Sequence, residues 1–171
     1  MNIRTYLNRF EGFHCAISTA PCLLGPSYVF RNLMVHPGDF YANPNTVIKN
    51  NYSVDGKGQI HVFNNTWHAP KTASYTHYAR KKLGAPYDQQ FKGITRNNLM
   101  SAQRTYADRV FEWKNDFAFD QFWSDDPADR KLVEKKHEKF QGIRDFRMVK
   151  PEFTNLETGD YRLRNPQPGE P

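Results

Sequence analysis

The chain has 171 residues, with 24 lysine and arginine side chains against 18 aspartate and glutamate side chains, a net charge of +6. Aromatic residues make up 15% of the chain, which excludes the aromatic-poor composition of a disordered protein. Apolar residues reach only 38%, below the roughly 45–50% of ordinary globular domains, so we expect a lean core and aromatic contact surfaces.

Residues 1–45 are predicted to form an extended N-terminal arm with one short helix. Prolines recur between Pro21 and Pro44, which breaks regular structure over that stretch. The helix is predicted over residues 1–10 from apolar residues at steps of three and four, namely Ile3, Tyr6, Leu7 and Phe10.

Residues 46–143 are predicted to hold a β-hairpin and a helical body. Apolar alternation on both sides of an Asp-Gly turn predicts the hairpin over residues 46–63. Helical spacing predicts helices over residues 71–84, 95–123 and about 127–140, the last with Asp126 as its N-cap. The apolar residues of the longest helix include Leu99, Tyr106, Val110, Trp113 and Phe117.

Residues 144–171 are predicted to form an extended C-terminal tail. Such a tail offers too little apolar surface to offset its ordering entropy, so we expect contacts with partner molecules to hold it. We find no internal repeat in the sequence. The predicted fold class is therefore mostly α with one β-hairpin, a small helical body with long extended N- and C-terminal segments.

Catalytic and cofactor-binding patterns are missing from the sequence. The six histidines are not arranged in the close pairs that structural zinc sites use, and no phosphate-binding loop or dinucleotide fingerprint occurs. Cys15 and Cys22 are interpreted as reduced, buried thiols, with a disulfide as the alternative. We therefore expect no enzyme activity, no metal and no cofactor.

The candidate contact residues are aromatic anchors and one basic run. For Trp113 and Phe117, burial in the core of the chain itself is the favoured alternative to an interface. The basic run is expected to face acidic subunits or anionic lipid headgroups, and comprises Arg80, Lys81 and Lys82. The aromatic anchors are Trp67, Trp113, Phe117, Phe122, Trp123, Phe146, Phe153 and Tyr161.

One short stretch resembles a known family. Asn50-Asn51-Tyr52 followed by Asp55-Gly56-Lys57 is similar to the NNYY…DGR stretch of a small matrix-side accessory subunit of respiratory complex I, over about eight residues. Val54 and Gly58 depart from that stretch. The resemblance implies a mitochondrial accessory subunit, peripheral to the inner membrane, and transfers no functional residue.

The sequence thus predicts a non-catalytic accessory subunit that stabilises a large mitochondrial membrane complex. Respiratory complex I is favoured, ATP synthase or another respiratory complex comes next, and the other subunits of the complex are the expected partners. No run of 18 apolar residues occurs, so no transmembrane span of its own is expected. Two alternatives stay open. The basic, aromatic-rich composition also suits a mitoribosomal or other RNA-binding assembly protein, and the adhesive tail suits a virion structural protein.

Overall fold

The computed structural model of the chain describes residues 2–13, 15–18, 26–35, 45–49, 59–74, 92–105, 116–118, 121–137, 143–144 and 147–164. Two parallel sheets dominate these residues. The first contains, in spatial order, β1 (Ile3–Tyr6), β4 (Ser27–Phe30), β7 (Gln59–Phe63), β9 (Lys92–Arg96), β11 (Asp116–Ala118) and β13 (Ile143–Arg144). The second contains β2 (Arg9–Glu11), β5 (Leu33–Val35), β8 (Thr66–Ser74), β10 (Leu99–Thr105) and β12 (Gln121–Ser124), while β3 (Cys15–Ser18) pairs with β6 (Asn45–Lys49), and β6 with β8.

The chain winds through both sheets in successive turns, which makes the fold a parallel β-solenoid. Each full winding of the chain contributes one strand to the first sheet and, two residues later, one strand to the second sheet. We call such a pair of strands with its two-residue turn a rung. Rungs 1 to 4 are β1–β2, β4–β5, β7–β8 and β9–β10, and β11–β12 form a fifth whose turn lies outside the described residues.

Each two-residue turn has the same backbone form in rungs 1 to 4. Its first residue lies in the left-handed region, with φ between 54° and 56°, and its second residue is asparagine. The repeat distance is 24 residues from the first asparagine to the second and 33 residues for the next two steps. The expectation that the sequence holds no internal repeat is therefore wrong, because the repeat lies in one asparagine and its flanking strands rather than in extended similarity.

The interior of the solenoid is filled by columns of side chains in parallel register. Val29 and Val62 stand opposite each other in the first sheet, and Met34, Trp67 and Met100 follow one another in the second. All five are buried in one hydrophobic cluster. Strand alternation places every second residue on this inner side, which explains why a chain with few leucines can still form a continuous core.

A helix and an antiparallel hairpin complete the described chain. Helix α1 (Pro127–His137) packs Val133 into the interior cluster, and the Oδ1 atom of Asp126 accepts the amide N–H of Ala128 at 2.8 Å. This confirms the predicted helix and its N-cap, although residues 138–140 lie outside the described part. The hairpin pairs β14 (Phe153–Asn155) with β15 (Asp160–Leu163).

The predicted mostly α fold class is wrong, because the structure is mostly β. In place of the helix over residues 1–10 the chain forms β1 and β2. The helical spacing there arises from two unrelated environments. Phe10 packs against the core, whereas Leu7, the first residue of a left-handed turn, is 69% exposed.

The long helix predicted over residues 95–123 is replaced by strands β9 to β12 within the described residues. Its apolar pattern was misleading because the second sheet is covered on both faces. Met100 lies in the interior cluster, while its neighbour Leu99 packs on the opposite face with Val35 and the hairpin. Double burial removes the polar–apolar alternation by which a strand is recognised.

The predicted hairpin over residues 46–63 is also wrong. Strands β6 and β7 belong to different sheets, and each pairs in parallel with strands from other turns of the chain. The predicted Asp-Gly turn lies in residues 50–58, outside the described part. Of the helix predicted over residues 71–84, residues 71–74 belong to β8, and the remainder is not described.

The C-terminal segment differs from the expected extended tail. Residues 153–163 form the hairpin, and Phe153 and Tyr161 pack against Val35 and Leu99 of the solenoid. Apolar contacts within the chain therefore hold this segment, where partner contacts were expected. Residues 165–171 lie outside the described part, and the division into regions 1–45, 46–143 and 144–171 stays a prediction.

Candidate binding groove

Asparagines at the second turn position connect the rungs in what we call the inner ladder, which consists of the exposed Asn8 and the buried Asn32, Asn65 and Asn98. The Nδ2 atom of Asn65 donates to the Oδ1 atom of Asn98 at 2.9 Å and to the carbonyl oxygen of Val29 at 3.0 Å. Its own Oδ1 atom accepts both the backbone N–H and the side-chain amide of Asn32 at 3.0 Å. The inner ladder satisfies buried backbone groups at each turn and so fixes the register of the rungs.

The residues before the inner ladder form an outer turn column, made of Leu7, Arg31, Asn64 and Asn97. Asn97 donates its Nδ2 hydrogen to Oδ1 of Asn64 at 2.8 Å. Within the described part of the chain, this bond leaves both N–H donors of the Asn64 side chain, and the Oδ1 atom and one N–H of Asn97, available to a ligand. Asparagine tolerates the left-handed conformation better than most residues, which explains its use at two of these four positions.

The hairpin stands beside the outer turn column because aromatic contacts fix it there. The ring of His68 lies 5.1 Å from that of Phe153 and 5.7 Å from that of Tyr161, and the latter two rings meet edge to face at 5.6 Å. On rung 1, the Nη1 atom of Arg9 donates to the carbonyl oxygen of Gly159 at 3.3 Å. These contacts position the tip of the hairpin over the turns.

A groove of about 660 Å³ lies between the solenoid and the hairpin. Most of the lining side chains carry polar groups, but their aliphatic atoms, Leu33 and the ring of Tyr161 make the lining surface about as apolar as it is polar. The solenoid wall consists of Arg31, Asn32, Leu33, Asn64, Thr66 and Asn97, and the hairpin wall consists of Gly159, Asp160, Tyr161 and Arg162. The groove therefore spans rungs 2 to 4 and offers amide, hydroxyl and guanidinium groups.

The charges on the hairpin wall are paired with each other. The guanidinium of Arg162 donates to the carboxylate of Asp160 at 2.9 Å and 2.6 Å, and the backbone N–H of Arg162 donates to the same carboxylate at 3.2 Å. The side-chain bonds from Arg162 are the main cause that lowers the pKa of Asp160 to about 2. Asp160 is therefore ionised, and its charge is balanced by Arg162, at any physiological pH.

Arg31 on the opposite wall is exposed and forms no ion pair with any residue that the structure describes. Arg9, nearer the end of the solenoid, has Glu11 at 3.3 Å. Burial raises the pKa of Tyr161, an effect that the nearby Arg9 partly opposes, so the phenol is neutral at pH 7. Positive charge in the groove is thus left uncompensated at Arg31 alone, among the described lining residues.

The described lining residues supply hydrogen-bonding groups and one carboxyl group. Glycoside hydrolysis and similar reactions use two carboxyl groups with different pKa values. Among the described residues that line the groove, Asp160 is the single carboxylate, and Arg162 holds it in the ionised form. Amides and hydroxyls in fixed positions provide hydrogen bonds without a proton-transfer group.

The outer face of the first sheet carries aromatic rings stacked from rung to rung. The ring of Phe30 has Tyr6 on one side and Phe63 on the other, each at 4.9 Å with interplanar angles of 3° and 6°. Tyr28 and His61 stack at 5.0 Å in the neighbouring column, and burial and Arg96 lower the pKa of His61. Phe30 therefore has both ring faces covered by its neighbours.

The structure distributes the predicted contact residues over different environments. Trp67 and Phe122 lie in the interior, and Phe153 and Tyr161 lie between hairpin and solenoid. Trp123 is half-buried, with the guanidinium of Arg130 at 4.6 Å from its ring. An interface role for any of these stays a prediction.

The remaining predicted contact residues lie mostly outside the described part of the chain. Phe117 is described only as a backbone position of β11, and Trp113 and Phe146 lie outside the described residues. Arg80, Lys81, Lys82 and Cys22 also lie outside the described residues, whereas Cys15 belongs to β3.

Sequence reasoning missed the residues that line the groove, above all Arg31, Asn64, Asn97, Asp160 and Arg162. A usable signal was present. Alignment of the sequence with itself at a 33-residue offset superposes Arg31-Asn32, Asn64-Asn65 and Asn97-Asn98, each before a strand of the second sheet. Tertiary contact alone brings Asp160 and Arg162 to these turns.

Neither a membrane-spanning helix nor a metal-ligand cluster occurs among the described residues. Among them, no helix is both long and apolar enough to cross a membrane. No cluster of three or more histidine, cysteine, aspartate or glutamate side chains suited to a metal ion occurs in the same part of the chain.

Comparisons with protein-family models, with curated proteins and with solved structures gave no match to this chain.

Proposed function

We propose that this β-solenoid is a non-catalytic binding protein whose groove takes an extended, hydroxyl-rich chain, namely a polysaccharide. The observation that carries the proposal is the groove between the outer turn column and the hairpin, whose lining combines amide, hydroxyl and guanidinium groups with apolar surface of similar extent. Sugar hydroxyls both donate and accept hydrogen bonds. Side-chain amides match them because each presents donors and an acceptor in one plane.

The periodicity of the solenoid supports a chain-like ligand. Neighbouring strands of a sheet lie about 4.8 Å apart, so Arg31, Asn64 and Asn97 repeat at that interval along the solenoid axis. A polymer of sugar units laid along the axis meets an equivalent turn position at each rung. A compact small molecule would use only part of such a row.

The described lining of the groove supports a polysaccharide over single-stranded nucleic acid as its ligand. Proteins hold single strands largely by stacking bases on exposed aromatic rings. Tyr161 is the one aromatic residue among the described lining residues, and only 7% of its surface is exposed. Hydrogen bonding at the groove is therefore a better-supported mode of recognition than base stacking.

The test is a binding screen of the full chain against immobilised neutral and acidic oligosaccharides, followed by calorimetry on those that bind. Asn64→Gly combined with Asn97→Gly removes two groove amides and keeps residues that tolerate the left-handed turn. With about 1 kcal/mol per hydrogen bond, we expect affinity to fall about tenfold or more. Leu7→Gly is the matched control, because it changes the same turn position in rung 1, outside the groove.

Absence of binding to every oligosaccharide would contradict the proposal, as would equal losses in the double variant and in Leu7→Gly. Tight binding to RNA that disappears at raised salt would favour the RNA-binding alternative instead. Circular dichroism of each variant excludes unfolding as the cause of a loss.

A second candidate is the accessory-subunit role, which the sequence predicts and which stays a prediction together with the mitochondrial location. The specific feature that favours a protein neighbour is the first rung, where Ile3, Tyr6 and Leu7 are exposed large apolar residues. Native electrophoresis of source membranes with mass spectrometry tests it. Co-migration with a respiratory complex is the expected result, and migration as a free monomer would oppose it.

A further inference from the structure

We infer that the groove selects acidic polysaccharides and that Arg31 binds the carboxylate of a uronic acid unit. The inference rests on the proposed function and names the substrate class of the same site. It is carried by the unequal state of the two arginines that line the groove, Arg31 on the solenoid and Arg162 on the hairpin.

Arg162 is already engaged by its own hairpin. Its guanidinium forms two hydrogen bonds with the carboxylate of Asp160, at 2.9 Å and 2.6 Å. This bidentate geometry is the one that a ligand carboxylate would need, so Asp160 occupies the fork of Arg162. An acidic ligand gains little there, because it would have to displace a fixed internal anion.

Arg31 presents the same fork without an internal anion. It is exposed, it lines the groove, and no carboxylate pairs with it among the described residues. The position of its backbone is fixed by the left-handed turn, with φ 54°, and by the bond from its amide N–H to the carbonyl oxygen of Phe63 at 3.3 Å. A rigid backbone holding an unpaired planar cation is suited to bidentate recognition of a carboxylate.

The neighbouring rung supplies complementary groups for the rest of the sugar. Asn64 stands at the same turn position one rung further on, and Thr66 lines the groove beside it. Both are neutral and hydrogen-bonding. A uronic acid unit presents hydroxyls next to its carboxylate. The carboxylate matches the guanidinium of Arg31, and the hydroxyls match the neutral polar side chains of Asn64 and Thr66 on the next rung.

The test measures binding to uronic-acid oligosaccharides, each compared with its own methyl ester, which keeps the hydroxyls and removes the charge. For the unmodified chain we expect about tenfold tighter binding of the acid form, the size of one charge-assisted hydrogen-bond pair. Arg31→Gln should make the acid and ester forms equal. Arg4→Gln is the matched control, because it removes an exposed arginine of rung 1 outside the groove and should keep the preference.

The outcomes separate this inference from the proposed function. Equal binding of acid and ester by the unmodified chain, with loss in the Asn64→Gly and Asn97→Gly variant, would overturn the inference and leave the polysaccharide proposal standing. No binding to any oligosaccharide would overturn both. Comparing the binding of dextran sulfate with that of dextran shows whether sulfate is the preferred anion. Tighter binding of dextran sulfate, without tighter binding of the uronic acid forms over their esters, would overturn the carboxylate assignment.

Discussion

The side-chain nitrogen of Asn65 lies 2.9 Å from the side-chain oxygen of Asn98, its counterpart 33 residues later. Both residues are buried, and the same bond joins Asn32 to Asn65 at 3.0 Å. The side-chain amide of Asn65 therefore accepts from rung 2 and donates to both rung 2 and rung 4. Because buried polar groups are costly when unpaired, one asparagine in the middle of the ladder affects three rungs at once.

Asn65→Ala should destabilise the chain strongly. The substitution leaves the backbone N–H of Asn32 and the carbonyl oxygen of Val29 without their side-chain partners in a buried position. We expect a loss of about 2–4 kcal/mol in the free energy of unfolding, from two or more unsatisfied groups. Urea denaturation followed by circular dichroism measures it. Asn8→Ala, at the exposed end of the same ladder, should cost less than half as much, and equal costs would contradict the ladder's role.

The ladder also shows how much of the fold could be predicted from the sequence. The Asn-Asn pairs at residues 64–65 and 97–98, and Arg31-Asn32 before them, carry the repeat. Their 33-residue offset is visible without a structure. The first step of 24 residues obscures it, because the loops between rungs differ in length while the turns do not.

The second sheet illustrates the part that local sequence patterns could not give. Apolar residues can occupy the outer positions 35 and 99 because Phe153 and Tyr161 of the C-terminal hairpin cover Val35 and Leu99. That covering is a long-range contact, so the alternation of the strand is lost for a reason that lies elsewhere in the chain. Helix α1 was predictable because Asp126 and Pro127 are local start signals.

The interior column gives a second test of the fold. Trp67 is buried between Met34 and Met100 on the adjacent strands, so Trp67→Ala should leave a large cavity and cost about 3–5 kcal/mol. Trp123→Ala is the control, since Trp123 is half-buried and its ring contacts Arg130 at the surface. Thermal and urea unfolding of both variants measure the difference. A smaller cost at residue 67 than at residue 123 would contradict the assigned core.

The hairpin should detach from the solenoid when its main anchor is removed. Phe153 is 7% exposed and contacts the rings of His68 and Tyr161, so Phe153→Ala removes the contact that fixes both strands of the hairpin. We expect amide hydrogen exchange to accelerate about tenfold or more in β14 and β15, with the rungs still protected. Leu156→Ala, in the exposed turn of the hairpin, is the control. Unchanged exchange in Phe153→Ala would mean that other contacts hold the segment.

The ion pair on the hairpin wall predicts a specific acid titration. Hydrogen bonds from Arg162 lower the pKa of Asp160 from 3.8 to about 2. Because the folded-state pKa lies below the unfolded value, the pair's contribution to stability is complete above about pH 4 and is lost as the pH falls through about 2. Carbon-13 NMR of the Asp160 carboxyl should therefore show a midpoint near pH 2, and Arg162→Gln should move it up towards 3.8. Arg164→Gln, which removes a positive charge from the same hairpin without touching Asp160, should leave the midpoint in place. A midpoint close to 3.8 in the unmodified chain would show that Asp160 is not paired with Arg162, and the fork of Arg162 would then be free to compete with Arg31 for an acidic ligand.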